Sequence, residues 1–404
     1  MTKSFDNTAI GARARLGGRA KRAAGRALFG AAGALWRAGR RLRGGPPPVP
    51  EPADVRRIVA FQTLGIGDTV ATEPALAAMK RAWPGARLDL VVAPAPAGLV
   101  PAIEAVDGGV VFAAGVGPIS RLLALRRLGR RLRRRGYDVA VGLDPTLGCA
   151  LAAWWSGAPV RVGYDSFGRG FAYTHSVPAP VTWNRPRWEY AGEITGEPQA
   201  DSWVRMLEAV GIEGERRPPR LRADGPARAE IDLLMETAGL ARDARPIIFY
   251  IGGRPSRRWA AERFALVGES LLETRGGPLV VAAGREDAER AEEIAAGISR
   301  EAVAIADQSL AGLVALMERA RIVVSHDSAA AHIAAAVGAP TVVIGGATDP
   351  DIWGPYGERA RMVYDPDLPC LGCKSAECSA ARHECMEAVT PEMVLGAIEE
   401  IGAP

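Results

Sequence analysis

Short apolar runs alternate with longer segments of helical periodicity along most of the chain. Runs of four to eight mainly apolar residues bounded by Gly or Pro are typical of buried strands, and apolar positions three and four apart are typical of helices that cover a sheet. The first run, 57–62, precedes a glycine-containing loop, a helix predicted over 69–83 and a strand predicted over 87–93. Further strands over 137–143 and 159–164 complete a first predicted α/β unit.

A second alternating series follows a polar, proline-rich stretch at 213–224 and a helix predicted over 226–239. Strands that alternate with helices of this length require a parallel sheet covered on both faces. Ligands of such sheets bind beyond the carboxyl ends of the strands. The pattern therefore predicts two Rossmann-like domains in tandem with a cleft between them. The elements of this series are strand 247–251, helix 261–274, strand 278–283, helix 286–297, strand 302–305, helix 309–319, strand 321–325, helix 328–337 and strand 340–344.

Length and composition agree with a folded chain of two domains. The sequence has 404 residues, of which 48% are hydrophobic and 24% are charged, so it is not a disordered, collagen-like or coiled-coil chain. At about 150 residues per domain, this length predicts two or three domains, of which two is the preferred interpretation. The apolar stretch 27–36 is far shorter than the roughly 18 residues that span a membrane, so no membrane crossing is expected.

Positive charge is concentrated at the N-terminus. Residues 1–50 contain eleven Lys or Arg and one acid, whereas the whole chain has a net charge of +4. These cations alternate with small residues and with Leu28, Phe29, Leu35 and Trp36, which suits an amphipathic helix on anionic lipid and equally a disordered arm that attracts nucleic acid. Arginines directly before and after the apolar stretch and the lack of a small-residue cleavage site argue against a secretory signal. We therefore expect a cytoplasmic protein.

Prolines between residues 44 and 52 predict an extended linker after this tail. The expected division is a basic tail with its linker over 1–52, an N-terminal domain over 53–222 and a C-terminal domain over 223–404.

Gly65, Gly67 and Asp68 lie where the first predicted strand gives way to a helix. The glycines allow a ligand to approach closely, and the amides of the turn can face an anion. No third glycine follows three residues later, so the dinucleotide fingerprint is absent and a nicotinamide-dependent oxidoreductase is disfavoured. Asp68 is either a cap of the following helix or a carboxylate placed at the cleft as a general base.

A second cluster of candidate chemistry follows the strand predicted over 321–325. Asp327 and Ser328 can cap the next helix, and the donors of such a turn suit a phosphate or a ribose. His332 lies one turn further along the same face as Ser328. It is either a ligand-binding residue or a buried structural histidine.

These residues resemble glycosyltransferase family 9, which contains the ADP-heptose:lipopolysaccharide heptosyltransferases. Three motifs carry the resemblance in the correct order, and together they are more specific than any one alone. The resemblance covers about residues 56 to 400. The first comprises 65–68, 72–76 and 83–86; the second comprises Gly252, Gly253, Arg257, Arg258, Trp259 and Phe264; the third comprises 327–332, 334–343 and 346–357.

The resemblance implies a GT-B fold, in which two Rossmann-like domains with parallel sheets face each other across a cleft. It implies that a sugar is transferred from a nucleotide-sugar donor to a glycolipid acceptor with inversion of the anomeric configuration. The implied sugar is a heptose from ADP-heptose, and the implied acceptor is the lipopolysaccharide core or a related envelope glycan. Asp68 would be the general base, and Gly65 and Gly67 would line the acceptor side. The alternative is a non-catalytic nucleotide-sugar-binding relative in which Asp68 is only a cap. The implied donor-binding residues are Gly252, Gly253, Arg257, Asp327, Ser328, Ala329 and His332.

Two positions depart from the family pattern. Arg257 stands where the family has a lysine, and Ala329-Ala330 stands where it has Gly-Pro or Gly-Leu. Arginine also binds phosphate, with a planar fork of donors. Because Arg257 and helix amides would stabilise the departing diphosphate, no cofactor is expected for catalysis. The Asp-Pro-Asp triplets at 349–351 and 365–367 are interpreted as turns rather than as metal ligands.

Four cysteines lie within sixteen residues near the C-terminus, with His383 among them. In a reducing cytoplasm such a cluster suggests a structural zinc or an iron–sulfur site more than disulfides, although the spacing matches neither a standard zinc ribbon nor a ferredoxin pattern. Cys149 is isolated and is expected to be a buried apolar residue. The four candidate ligands are Cys370, Cys373, Cys378 and Cys385.

The predicted helix over 122–135 is the second cationic feature, because eight Arg and no acid occur between residues 121 and 135. Such a run is usually a solvated face. On an acceptor-side domain it would instead hold phosphates of the acceptor or lie on a membrane. We therefore expect peripheral contact with an anionic membrane, at the inner face of the cell membrane, and no nucleic-acid partner.

Overall fold

The computed structural model describes residues 46–166, 168–180, 196–368, 370–373, 378 and 384–403. The basic tail, and with it the predicted amphipathic helix, lies outside the described residues. Within these ranges the chain forms two parallel sheets flanked by helices, which confirms the predicted α/β class. No helix in these ranges is both long enough and apolar enough to cross a membrane.

The first sheet has six strands in the order β3-β2-β1-β4-β5-β6. Val139 of β4 and Leu88 of β2 flank Ile58 of β1, and all three side chains are fully buried. The strands are β1 (Arg57–Gln62), β2 (Arg87–Val92), β3 (Gly108–Val111), β4 (Val139–Gly142), β5 (Val160–Asp165) and β6 (His175–Pro178), and the helices are α1 (Ile66–Ala71), α2 (Glu73–Ala82), α3 (Pro118–Arg135), α4 (Leu147–Trp155) and α5 (Gln199–Glu208).

The second sheet has six strands in the order β12-β11-β10-β7-β8-β9. Its strands are β7 (Ile247–Tyr250), β8 (Leu279–Ala283), β9 (Ala302–Ala306), β10 (Ile322–His326), β11 (Thr341–Ile344) and β12 (Ala360–Val363). Its helices are α6 (Gly225–Thr237), α7 (Ala261–Arg275), α8 (Ala288–Ile298), α9 (Leu310–Glu318), α10 (Ala329–Ala336), α11 (Pro350–Trp353), α12 (Glu384–Ala388) and α13 (Pro391–Glu400).

Both sheets have the same Rossmann topology. If the strands are counted within each sheet, both orders read 3-2-1-4-5-6. In this topology the connections leave the first and fourth strands in opposite directions, which opens a ligand-binding crevice at the carboxyl ends of those two strands. The crevices are therefore expected between β1 and β4 in the first sheet and between β7 and β10 in the second.

The two halves share a continuous apolar core. One cluster of buried side chains includes Leu90 of β2, Val314 of α9 and Ile333 of α10. The segment that connects the halves is fixed to both of them, because the amide of Leu221 donates to the carbonyl of Ala336 and the amide of Arg222 donates to the carbonyl of Ala102. The expected boundary between residues 222 and 223 lies in this segment and stays a prediction.

A buried ion pair holds the connecting segment against the first domain. The two terminal nitrogens of Arg217 bind the two carboxylate oxygens of Glu73 at 2.7 and 3.0 Å, and both side chains are more than nine-tenths buried. The amide of Arg220 donates to the same carboxylate at 2.8 Å. Glu73 of the first motif is therefore a structural residue that holds the connection between the halves.

Candidate functional site

A buried carboxylate organises the crevice of the first sheet. Asp144 follows β4, and its Oδ2 accepts hydrogen bonds from the amide (2.9 Å) and the hydroxyl (2.7 Å) of Thr63, which follows β1. Its Oδ1 accepts the amide of Thr146 at 2.9 Å. Asp144 thus fixes the two loops that diverge at this crevice. The sequence analysis did not select Asp144, although an acidic residue directly after the strand predicted over 137–143 was a signal for it.

Asp68 is the third residue of α1 and is partly exposed. Its Oδ2 accepts the amide of Gly65 at 3.0 Å, so the helix-capping interpretation of Asp68 corresponds to a real contact. A carboxylate has about four acceptor positions on two oxygens, so one capping bond does not prevent it from taking a proton. The structure therefore leaves the general-base hypothesis open as a second role of the same side chain.

The start of α1, which carries Asp68, meets the second domain at Gly67. A Cβ atom at Gly67 would lie 2.9 Å from Cδ2 of His332, closer than real Cβ contacts allow. Glycine is required here because another side chain would push the loop away from α10. The two predicted loops, one from each half, therefore face each other across the cleft.

Arg257 and Asp327 join the two sides of the second crevice. Arg257 follows β7, and its Nη1 donates to Oδ2 of Asp327 at 3.0 Å and to the Asp327 carbonyl at 3.3 Å. The hydroxyl of Thr348 donates to the same Oδ2 at 2.7 Å. The Nε of Arg257 is buried and has no partner among the described residues. The ion pair holds the guanidinium in place and leaves this donor for a bound anion.

The start of α10 presents backbone donors at the same place. Ser328 is the N-cap residue of α10 in an extended conformation, but its side chain does not cap the helix. Its hydroxyl oxygen lies 3.4 Å from that of Ser325 instead. Gly253 comes close to this turn, since a Cβ atom there would lie 3.7 Å from Cβ of Ser328. The predicted donor residues Gly253, Ser328 and Ala329 are therefore neighbours.

His332 lies in the second turn of α10, in contact with Gly67. Burial lowers its pKa below the ordinary value; the nearby Asp327 carboxylate raises the pKa and the Arg257 guanidinium lowers it further, with a net lowering. The ring is therefore neutral at pH 7. The space beside it, which Val70, Gln199 and Tyr356 also line, has a volume of about 20 Å³, enough for a single water molecule.

His326 is a positioning residue that the sequence analysis did not assign. It is completely buried at the end of β10, where its Nε2 accepts the amide of Trp259 at 2.8 Å. Because Nε2 is the acceptor, Nδ1 carries the proton and faces the carbonyl of Gly252 at 3.4 Å. Burial lowers the pKa of His326 to about 4. A neutral His326 therefore fixes the loop that carries Gly252, Gly253 and Arg257.

The Asp-Pro-Asp triplet at 365–367 forms a turn, as predicted, whereas the triplet at 349–351 begins the short helix α11. Asp349 caps α11 by accepting the amide of Asp351 at 3.1 Å, and Asp365 accepts the amide of Asp367 at 2.9 Å.

The C-terminal cysteines lie near one another as free thiols. Burial and the neighbouring Cys370, Cys373 and Cys378 raise the pKa of Cys385 to about 11. His383 lies outside the described residues, and within the described part of the chain no three His, Cys, Asp or Glu side chains have the arrangement of a metal site. A structural metal stays a prediction. Metal analysis of protein purified without an affinity tag checks it, and less than about a tenth of an equivalent would contradict it.

The fold and its two facing crevices define a protein of GT-B architecture. The family model of glycosyltransferase family 9 (heptosyltransferase) matches residues 125–383. The chain is 27% identical over 335 residues to lipopolysaccharide heptosyltransferase 1 of Pseudomonas aeruginosa, a match that covers 80% of this chain and 87% of that protein. The chain therefore belongs to glycosyltransferase family 9 and is a glycosyltransferase, as the resemblance of its motifs indicated.

Solved structures show the same fold. The family 9 glycosyl transferase of Veillonella parvula has a TM-score of 0.71 and 22% identity, with 86% of this chain and 97% of that chain covered. The Escherichia coli heptosyltransferase WaaC, solved with ADP-2-deoxy-2-fluoro heptose, has a TM-score of 0.63 and 19% identity, with 85% and 99% covered.

Proposed function

We propose that this enzyme transfers a heptose from ADP-heptose to a sugar of the lipopolysaccharide core or a related envelope glycan, with inversion at the anomeric carbon. The observation that carries the proposal is the contact of the Gly65–Asp68 loop with His332, beside the Arg257–Asp327 pair. The names of the relatives support the substrate class, since the Pseudomonas protein is a lipopolysaccharide heptosyltransferase and WaaC was solved with an ADP-heptose analogue.

The donor diphosphate would bind at the second crevice. Arg257 offers its buried Nε, the uncapped start of α10 offers the amides of Ala329 and Ala330, and Gly253 leaves room for close approach. Negative charge grows on the diphosphate as the anomeric bond breaks, and fixed donors stabilise it without reorganisation. Asp327 would hold the guanidinium at the correct place, and the neutral ring of His332 would line the donor without adding charge.

The acceptor would bind on the first domain, with its hydroxyl next to Asp68. Asp68 takes the hydroxyl proton, the hydroxyl oxygen forms the bond to the anomeric carbon, and ADP departs with the electrons of the broken bond. Attack from the side opposite to the leaving diphosphate inverts the anomeric configuration. The domain assignment is part of this proposal: residues 53–222 would hold the acceptor and residues 223–404 the donor.

A lipid-linked acceptor would place the enzyme at the inner face of the cell membrane. The basic tail over 1–52 and the arginine-rich α3 support contact with anionic lipid, because each cation close to such a surface contributes about 1 kcal/mol.

A donor panel followed by product analysis tests the proposal. Among ADP-, GDP-, UDP- and CMP-sugars, ADP-heptose at about 100 times its Kd should raise the unfolding midpoint by roughly 3 °C, because bound ligand stabilises the folded state by mass action. Transfer to heptose-free lipopolysaccharide should then give a product whose new linkage, determined by NMR, has the opposite anomeric configuration to the donor. Stabilisation by a different nucleotide alone, or retention of configuration, would contradict the proposal.

A further inference from the structure

Large apolar side chains are exposed to solvent along the start of α3 and in the loop before it. Val116 is 98% exposed, Ile119 76%, Leu123 48% and Leu122 41%. Such residues are common singly on protein surfaces, but a group of them marks an interaction site.

The opposite face of α3 accounts for its packing. Leu125, Leu128 and Leu132 are buried, and a Cβ atom at Gly129 would lie 2.5 Å from Cβ of Trp155 in α4. At 100° per residue, Ile119 and Leu123 lie on the side away from this buried face, in one row with Arg126 and Arg130. The outward face of α3 is therefore apolar at its first turns and cationic beyond them.

The arginines of α3 are not neutralised by neighbouring acids. Eight Arg and no Asp or Glu occur between residues 121 and 135. Within the described ranges only Arg135 of this group forms an ion pair, with Asp89 at 3.5 Å. The remaining seven are available to an anionic partner.

The apolar end of α3 lies at the same edge of the sheet as the candidate acceptor loop. The loop 112–117 follows the carboxyl end of β3, and Gly65 and Asp68 follow that of β1; all these strands are parallel. β3 is the second strand from β1, so the two loops leave the sheet roughly 10 Å apart in the direction across the strands.

We infer that Val116, Ile119, Leu122 and Leu123, together with Arg126 and Arg130, form a docking surface for an anionic lipid bilayer; we name it the α3 surface. It deepens the proposed function, because it names the part of the folded body that meets the membrane of a lipid-linked acceptor. The apolar side chains enter the acyl boundary and the arginines bind lipid phosphates.

Charge and exposed apolar area argue against three other occupants of the α3 surface: a second copy of the chain, its own N-terminal tail and a nucleic acid. A second copy would bring arginines against arginines, and the chain's own N-terminal tail carries eleven cations of its own. A nucleic acid would satisfy the arginines but would leave four apolar side chains without a partner. An anionic bilayer satisfies both parts of the α3 surface.

Vesicle binding of the full chain tests the apolar part. In sedimentation with vesicles of phosphatidylglycerol and phosphatidylcholine, Ile119→Glu with Leu123→Glu should lower the partition coefficient about tenfold or more. The matched control is Leu233→Glu with Leu266→Glu, which makes the same charge change at residues 64% and 55% exposed on α6 and α7. The control should bind as the unmodified protein does, and unchanged unfolding midpoints should show that both variants fold.

Arginine variants test the cationic part. Arg126→Gln with Arg130→Gln should lower the partition coefficient roughly thirtyfold at low salt and should have little effect on neutral vesicles. Arg245→Gln with Arg300→Gln, which removes the same charge from the exposed surface of the second half, is the control.

Deletion of residues 1–50 separates the tail from the α3 surface. The truncated protein should still bind vesicles. It should lose that binding when the α3 substitutions are introduced into it. Equal effects of the α3 and control variants would overturn the inference, and so would complete loss of binding on truncation alone. RNA binding is measured with the same variants. If the α3 variants lose binding to RNA but keep their binding to vesicles, the inference is overturned as well. These assays need neither donor nor Asp68, so their failure is distinguishable from failure of the proposed function.

Discussion

The two sheets share one strand order, but their ligand-binding edges have opposite chemistry. The first edge carries the carboxylates of Asp68 and Asp144, and Asp144 accepts the hydroxyls of Thr63 and Thr146. The second carries the guanidinium of Arg257 and the neutral ring of His332. The common topology places the loops, and the side chains decide what each edge can do: one can accept a proton, and the other can receive the negative charge of a diphosphate.

The two edges also differ in how they are held. At the first edge one carboxylate, Asp144, binds both diverging loops. At the second edge the loop after β7 is held by His326 through Trp259, and by Arg258, whose guanidinium binds Asp287 at 2.7 Å and the carbonyl of Gly253 at 3.2 Å. The second edge is thus held by a neutral histidine and by ion pairs, which suits a site that must have its donors in place before charge develops.

The largest expected effect belongs to the first edge. Asp68→Asn should lower kcat by about 10²- to 10⁴-fold, the usual contribution of a general base, with little change in the affinity for the donor. The asparagine oxygen can still accept the amide of Gly65, so α1 should remain intact. Steady-state transfer rates and donor titration measure the two quantities. Equal donor hydrolysis or transfer by both forms would favour a non-catalytic nucleotide-sugar-binding protein, with Asp68 as a cap only.

A second prediction tests the ion pair that holds the segment between the two halves. Glu73→Ala removes the carboxylate that binds both terminal nitrogens of the buried Arg217, so the free energy of unfolding should fall by about 3 to 5 kcal/mol. Urea unfolding measures this loss. Glu236→Ala, which removes one partner of the solvent-exposed Arg242–Glu236 pair, is the control and should leave the urea midpoint unchanged. Similar midpoints for the two variants would show that the buried pair does not hold the halves.

The buried histidine of the second edge predicts a pH dependence. The pKa of His326 is lowered from 6.5 to about 4, so the unfolded chain binds a proton before the folded chain does. The free energy of unfolding should therefore fall as the pH decreases from 6.5 to 4, by roughly 3 kcal/mol from this group. His326→Gln keeps an acceptor for Trp259 and removes the titration. Urea unfolding at several pH values should give a flatter profile for the variant, and parallel profiles would refute the assignment.

The smallest expected effect concerns position 257, where either arginine or lysine can bind the donor diphosphate. Arg257→Gln removes the charge at the diphosphate and should weaken donor binding about ten- to a hundredfold. Arg257→Lys introduces the residue that the family has at this position and should retain most of the affinity. Isothermal titration with ADP compares the three proteins. If the glutamine variant binds ADP as tightly as the unmodified protein, Arg257 serves only to hold Asp327.

The central strands and one edge strand, β9, were predictable from the sequence, and the other three edge strands were not. β1 and β10 are flanked by strands on both sides and are buried, so they read as continuous apolar runs. β3, β6 and β12 are edge strands that contain Gly, His, Pro or Arg, and no apolar run marked them. The single helix predicted over 69–83 is two helices, because Pro74 fits only the first turn of a helix, and α2 begins at Glu73.

The sequence predicted which loops form the site, but it did not predict which residues of those loops bind one another. The motifs located Asp68, Arg257 and Asp327 on loops after strands. The bonds from Arg257 to Asp327, from Thr63 to Asp144 and from Trp259 to His326 join residues about 70 or more positions apart. They exist because the parallel strands bring those loops to one edge, and local sequence patterns contain no information on such pairs.

Where Gly67 meets His332, the clearance between the two halves is that of a single hydrogen atom. Gly67 has only that atom on the side that meets His332, and the neighbouring cavity admits no more than one water molecule. A sugar does not fit into this gap, so a bound substrate would lie beside this contact rather than between Gly67 and His332.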